Sequence, residues 1–402
     1  MKGFHIASSE DIRRGRTTDV YFQRTKKILE AKGKDKVRVV MEVTIGSPPD
    51  NHPWGVLCGV EEVARLFEGL PVDIHCMPEG SLFHSEDSLG YRSPVLTIEG
   101  TYHDFCEYET PLLGFICQES AVASRAGYVR VAAGDKPVIG FGVRRIHPSL
   151  APAMDRASYI GGLDGVSSII GAETCGLQPT GTMPHALMIA FGDQVEAWKA
   201  YDEVVEPESP RVILVDTYYD EKTEAIMAAE TLGERLYGVR LDTPSSRRGS
   251  FPKIVKEVRW ELNLRGYEGV KIFVSGGLNE DTVKELAEAG ADAFGVGTWV
   301  SGAPTLDFAM DIVEVDGVPH AKRGKLGGKK QVWRCKECLS DIVTPADAAQ
   351  PRCGECRGDT EPMLKPLIKD GMIVAPLRTP REIREHVLSQ LQRLAGEAGR
   401  GS

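Results

Sequence analysis

The sequence of 402 residues predicts an α/β protein built around a (β/α) TIM-like barrel, with an N-terminal α+β, sandwich-like domain and a small C-terminal zinc ribbon. Three observations carry this. Short apolar runs that end on Gly, Asp or Arg alternate with amphipathic helical stretches between Val138 and Val296. Within Lys271–Val300 the order is strand, Gly-Gly turn, helix, strand and Gly-Thr turn, as in the last two units of a barrel. Near the C-terminus, Cys335-x-x-Cys338 and Cys353-x-x-Cys356 have zinc-ribbon spacing, with fourteen residues between the pairs. The domains expected are 1–115, 116–328 and 329–402.

Composition narrows the function. Apolar residues make up 42% and charged residues 26%, as in ordinary globular proteins. A net charge of -10 argues against general affinity for nucleic acid, though a local cluster of arginines can still hold a phosphorylated substrate. The first sixteen residues contain no apolar signal region and no run approaches membrane-spanning length, so a cytoplasmic location is expected. Nine cysteines, four of them in the paired motif, fit reduced thiols and a metal better than disulfides.

From the N-terminus, residues 1–36 read as charged and partly helical. Val37–Ile45, Val72–Pro78 and Pro94–His103 read as strands of the first domain, with a helix over Gly59–Leu70. His52, His75 and His84 lack metal-ligand spacing and read as structural. Phe105–Gly134 is mostly helical. Barrel strands follow at Val138–Phe141, within Gly176–His185, and at Val212–Val215, Val239–Leu241, Lys271–Val274 and Ala293–Val296. Helices fill Glu221–Leu232, Phe251–Leu264 and Asn279–Ala289. Asn279 supplies a cap, with Glu280 and Asp281 at the positive end of its helix.

Chemistry in such folds collects at the C-terminal ends of the strands. The candidates there are Arg144, Arg145, His185, Asp216, Arg240, Asp242, Gly276, Gly277, Gly297 and Thr298. Acidic groups beside a phosphate site hold Mg²⁺ or ribose hydroxyls, because hard cations prefer oxygen. Arginines neutralise pyrophosphate through paired N–H groups. In Arg240-x-Asp242 both side chains share a strand face; a rim salt bridge is the alternative reading. Phe141 beside Arg144 offers a stacking face and a cation to a flat anionic ring. The glycines could equally serve only tight turns, and His185 read alone could be a structural hydrogen-bonder. Four thiolates make a closed tetrahedral site, so the ribbon metal is expected to be structural Zn²⁺.

Several segments together resemble the nicotinate phosphoribosyltransferase family, in its shorter form with a C-terminal cysteine ribbon. They are TTDVYFQRT (Thr17–Thr25), MPEGSLF (Met77–Phe83), ICQESAVASRA (Ile116–Ala126), FGVRRIHP (Phe141–Pro148) and YIGGLDGVSSIIGA (Tyr159–Ala172). GTMPHA (Gly181–Ala186), VDTYYDE (Val215–Glu221), RLDTPSSRRG (Arg240–Gly249), VSGGL (Val274–Leu278) and FGVGT (Phe294–Thr298) complete the set. The resemblance implies an N-terminal α/β domain on an incomplete barrel, assembled as a homodimer with shared sites. It implies transfer of phosphoribose from phosphoribosyl pyrophosphate to nicotinate with Mg²⁺, coupled to ATP hydrolysis through a phosphorylated histidine at the position of His185. Phe141 and Arg144 would hold the pyridine and its carboxylate, with Tyr21 of a second copy on the other face. Asp216, Arg240 and Asp242 would meet ribose, pyrophosphate and Mg²⁺, and Gly276, Gly277, Gly297 and Thr298 the 5-phosphate. Asp164 would lie near the base. Arg247 and Arg248 depart from the acidic and small residues common in the family and are candidates for pyrophosphate or ATP contacts. Use of nicotinamide or quinolinate, a non-catalytic barrel with an RNA- or protein-binding ribbon, and a flavin-type barrel remain as rival readings.

Overall fold

The computed structural model describes residues 3–48, 50 and 52–398. It divides into two compact units: residues 3–124 with 303–398, and residues 125–302. The boundaries expected at 115 and 328 fall, respectively, inside the helix Glu109–Ala133 and between the strands Val318–Pro319 and Lys330–Cys335.

The first unit is organised by a seven-stranded antiparallel sheet. Its spatial order is Val318–Pro319, Phe308–Val315, Arg38–Ile45, Leu96–Thr101, Val72–Cys76, Lys365–Lys369 and Met372–Ile373. Arg38–Ile45 is central, and all its residues after Arg38 are buried, as a β-branched run covered on both faces should be. Val72–Cys76 and Leu96–Thr101 alternate buried and half-buried positions, the period of a strand with one covered face. The C-terminal segment is interleaved with the N-terminal one: Lys365–Lys369 pairs with Val72–Cys76, and Phe308–Val315 pairs with Arg38–Ile45. The ribbon strands Asp341–Pro345, Lys330–Cys335 and Thr360–Pro362 form a separate three-stranded sheet. Val332, Val343, Met363 and Leu364 nevertheless belong to the same apolar core as Val39, Ile74 and Ile98.

The second unit carries a six-stranded parallel sheet in the order Gly165–Val166, Val138–Gly140, Ala293–Val296, Lys271–Ser275, Gly238–Leu241 and Val212–Leu214. Its two edge strands are not paired with one another, so the barrel is incomplete. Ile213, Val239, Ile272, Val274 and Val296 are fully buried between the helices, as all-parallel strands require. The helices Glu221–Leu232 and Phe251–Leu264 fall where their apolar spacing puts them. The strand expected within Gly176–His185 is absent. Pro179 and Pro184 lack a ladder donor, so 177–184 runs as coil, tied by Thr180 N–H to Val166 O at 2.8 Å. The ladder position beside Val138–Gly140 is taken by the two-residue strand Gly165–Val166. Among the described residues no helix is long and apolar enough to cross a membrane.

Candidate active site

A cavity of about 550 Å³ opens at the C-terminal ends of four parallel strands. Phe141, Arg144 and Arg145 follow Val138–Gly140, and Arg240 and Asp242 close Gly238–Leu241. The turn from Ser275 to Asn279 follows Lys271–Ser275, and Gly297 and Thr298 follow Ala293–Val296. Arg125 and Trp299 complete the wall. Four arginines (Arg125, Arg144, Arg145 and Arg240) face a single carboxylate, Asp242, across this lining. Such an excess of positive charge in a cleft suits a polyanion.

The glycine-rich floor follows from backbone geometry. Gly276 and Gly277 have φ of +95° and +71°, the left-handed region where side chains are strained. A Cβ on Gly276 would also lie 2.9 Å from the carbonyl oxygen of Asp242. Gly295 lets Phe141 lie flat on the sheet end, since a Cβ there would stand 2.3 Å from the ring. The following helix, Glu280–Glu288, starts with a capping box in which Asn279 Oδ1 accepts Thr282 N–H at 2.9 Å. Gly277, Leu278 and Asn279 therefore present a helix N-terminus to the cavity, a favourable seat for an anion.

Arg240 and Asp242 are held through Ser275. Arg240 Nε donates to Ser275 Oγ at 2.9 Å, and Ser275 Oγ donates to Asp242 Oδ1 at 2.6 Å. Arg240 Nη1 donates to Thr182 Oγ1 at 2.9 Å, and its Cζ lies 5.1 Å from the centre of the Phe141 ring. Asp216 connects this set to His185. Its Oδ1 lies 2.9 Å from His185 Nε2, while its Oδ2 accepts Asp242 N–H at 3.1 Å and the Thr243 hydroxyl at 3.0 Å. The hydrogen bond that Asp216 accepts raises the His185 pKa, against the opposing effect of burial. His185 begins the helix His185–Phe191 rather than ending a strand.

Four other expected residues are not in this cavity's lining. Tyr21 is in the first unit, on the helix Val20–Ala31, with its side chain half exposed. Asp164 is not part of the cavity lining: its Oδ2 takes Arg130 Nη1 at 2.6 Å and Val138 N–H at 2.8 Å, at the N-terminal end of that strand. Arg248 turns back onto the carbonyl of Thr243 and lies 3.8 Å above the Phe251 ring, and its burial lowers its pKa. Arg247 lies in the turn Ser245–Arg247, outside the lining.

Other contributors had no reading from sequence. Arg125 is only 6% exposed; its guanidinium lies 3.7 Å over the Trp299 ring and donates to the Trp299 carbonyl at 2.9 Å. An arginine amid Ala121, Val122, Ala123 and Ala126 was the available signal, since arginine is seldom buried without a partner. Glu224, fully buried, accepts the N–H groups of Thr217, Tyr218 and Tyr219 at 2.9, 2.6 and 2.7 Å, which fixes the turn after Asp216.

In the first unit the sulfurs of Cys335, Cys338, Cys353 and Cys356 lie within 4.8 Å of one another. Cys335 and Cys356 Sγ are 3.3 Å apart, and Cys338 and Cys353 Sγ 3.5 Å apart. Tetrahedral zinc–thiolate bonds of roughly 2.3 Å put sulfurs roughly 3.8 Å apart, so the cluster fits a metal ion of this kind.

The fold is that of the quinolinate phosphoribosyltransferase family. Residues 19–120 match the family model "Quinolinate phosphoribosyl transferase, N-terminal domain", and residues 122–311 match its C-terminal domain. More narrowly, the chain belongs to the nicotinate phosphoribosyltransferase family. It is 32% identical over 343 residues to nicotinate phosphoribosyltransferase pncB1 of Mycobacterium tuberculosis, covering 81% of this chain and 72% of that protein. The match to pncB2 of the same organism is also 32% identical but spans only 65% of that protein's length. A solved structure titled nicotinate-nucleotide pyrophosphorylase, from Pyrococcus furiosus, superposes with a TM-score of 0.94 at 56% identity, covering 98% of this chain and 99% of that one. Human nicotinic acid phosphoribosyltransferase shares the fold, with a TM-score of 0.74 at 20% identity over 94% of this chain and 93% of that one.

Proposed function

We propose that this protein joins nicotinate to phosphoribosyl pyrophosphate, giving nicotinate mononucleotide and pyrophosphate, in a reaction coupled to ATP hydrolysis. The observation that carries the reading is the single cavity in which the glycine floor, four arginines (Arg240 among them) and Asp242 converge beside Phe141. The names of its relatives support it: two are nicotinate phosphoribosyltransferases, and one is a nicotinate-nucleotide pyrophosphorylase.

In this reading the 5-phosphate sits on the N–H groups of Gly276, Gly277, Gly297 and Thr298. Phe141 stacks on the pyridine and Arg144 takes its carboxylate, while Tyr21 of a second copy in a homodimer closes the opposite face. The pyridine nitrogen is already a nucleophile, so no general base is needed. It forms the new bond to the ribose anomeric carbon as the bond to pyrophosphate oxygen breaks, through an oxocarbenium-like state. Arg240 stabilises the charge that builds on the leaving group. Asp242 Oδ2 accepts no hydrogen bond among the described residues and fits a hard cation. Mg²⁺ bound there would add further charge neutralisation. His185, oriented through Nε2 by Asp216, leaves Nδ1 as the phosphoryl acceptor from ATP. The four cysteines hold structural Zn²⁺.

Four arginines and the name of the matching domains favour a second reading, a pyridine dicarboxylate such as quinolinate as the substrate. Product analysis decides between them. Nicotinate, phosphoribosyl pyrophosphate and Mg²⁺ should give nicotinate mononucleotide, and more of it with ATP. Product from quinolinate with release of CO₂, and none from nicotinate, would replace the first reading by the second.

A further inference from the structure

The Arg240–Asp242 pair is held open. Nη2 of Arg240 stands 3.4 Å from Oδ1 of Asp242, although the two side chains share one face of the same strand end. Guanidinium and carboxylate otherwise prefer a closed fork with two parallel hydrogen bonds. Ser275 occupies the place where that fork would form. The strand Lys271–Ser275 runs parallel to Gly238–Leu241 with Val274 opposite Leu241, which brings Ser275 beside Asp242. The Ser275 hydroxyl bridges the pair, accepting from Arg240 Nε and donating its one proton to Asp242 Oδ1. Thr182 takes Nη1. What remains is asymmetric: neither Nη2 of Arg240 nor Oδ2 of Asp242 has a hydrogen-bond partner among the described residues. Both groups line the cavity.

We propose that Ser275 is a positioning residue that keeps the Arg240–Asp242 ion pair from closing into a two-bond fork, leaving Nη2 of Arg240 to donate to a pyrophosphate and Oδ2 of Asp242 to take the cation that accompanies it. This deepens, and rests on, the phosphoribosyl reading above. A closed pair would spend the arginine on the aspartate, and a pyrophosphate would have to break that fork before binding. Ser275 is 3% exposed, so no solvent competes for its hydroxyl. Its two bonds consume one donor of Arg240 and one acceptor of Asp242, while Nη2 and Oδ2 keep no hydrogen-bond partner among the described residues.

The test has two readouts on wild type, S275A and S275T: crystal structures without ligand, and pyrophosphate binding by calorimetry. In S275A the Arg240–Asp242 pair should close to two contacts of about 2.8 Å. Pyrophosphate should then bind about tenfold more weakly, the loss of one charge-assisted hydrogen bond. S275T, which restores the hydroxyl, should keep the pair open and bind within about threefold of wild type on the same scale. S275C, similar in volume and a weak hydrogen-bonder, replaces the alanine variant if that one does not fold. A pair that stays open in S275A, or one that closes with pyrophosphate affinity unchanged, overturns the proposal. Wild-type protein that binds no pyrophosphate would overturn the phosphoribosyl reading instead, and the geometry of the pair in S275A would still decide whether Ser275 acts as a spacer.

Discussion

Asp216 ties His185 to the backbone of Asp242: one carboxylate oxygen meets His185 Nε2 at 2.9 Å and the other accepts Asp242 N–H at 3.1 Å. The histidine proposed for ATP coupling and the carboxylate proposed for sugar chemistry thus share one rigid support.

The pH dependence of His185 follows. Its pKa in the folded protein is raised, chiefly by the hydrogen bond to Asp216. A raised folded-state pKa means the interaction contributes its full stability below the unfolded value of about 6.5 and loses it as pH rises through the folded value. Replacing Asp216 with asparagine should lower the His185 pKa, read from its imidazole resonances by NMR. A pKa unmoved by D216N would remove Asp216 as the cause.

At the sugar end, Arg240→Lys should be costly despite keeping the charge. Lysine cannot donate in a fixed fork to Ser275, Thr182 and a ligand at once. Loss of one preorganised donor at a developing anion costs about 10² to 10³ in rate. Asp242→Asn should fall in the same range. Steady-state kinetics with phosphoribosyl pyrophosphate would check both, and undiminished turnover in either variant would exclude that residue from the chemistry.

ATP coupling should separate from glycosyl transfer. His185→Ala removes the proposed phosphoryl acceptor without touching the cavity lining, which does not include His185. The expected outcome is loss of the rate increase given by ATP while ATP-independent formation of nucleotide persists. Parallel assays of product and ADP would show this, and ATP stimulation retained in the variant would rule His185 out.

Much of the second unit was legible because its signals are local. The helices Glu221–Leu232 and Phe251–Leu264 match their apolar periodicity residue for residue, and the strand Lys271–Ser275 runs one residue past the expected Val274. The glycine turn, the Asn279 cap and Arg240–Asp242 lie where spacing put them. What sequence could not convey depends on distant partners. Pairing of Lys365–Lys369 with Val72–Cys76 joins segments almost 300 residues apart, and no periodicity encodes it. Gly165–Val166 is too short to leave a pattern of its own, whereas the proline-bearing stretch after it carries the apolar residues that mimic an edge strand. Asp164 was read by its motif as a site residue, but its bond to the buried Arg130 is visible only in three dimensions. Ser275 is an ordinary strand end by sequence, and its two bonds to Arg240 and Asp242 exist only through the pairing of two parallel strands.

The adjacent glycines Gly276 and Gly277 should respond unequally to alanine. Both have positive φ, so each substitution incurs roughly 1 kcal/mol of backbone strain. Only at Gly276 does the new Cβ also collide with the Asp242 carbonyl; at Gly277 it meets nothing within 4 Å. G276A should therefore displace Asp242 and lower activity far more than G277A. Equal kinetic losses in the two variants would argue that backbone conformation alone, rather than close approach to Asp242, explains the double glycine.

Metal removal should act on stability rather than on chemistry. The four cysteine sulfurs form a closed set in the first unit, while the cavity lies wholly within residues 125–302. Purified protein should contain about one Zn²⁺ per chain by elemental analysis, given a four-thiolate donor set. Because Val332, Met363 and Leu364 of the ribbon region share the core of the seven-stranded sheet, stripping the metal should loosen more than the ribbon. A fall in Tm of about 5 °C or more is expected with a strong chelator, and likewise for C353S. Four additional thiols should become titratable at the same time. An unchanged Tm after complete metal removal would show that the ribbon folds through its packing against the sheet and does not depend on a bound ion.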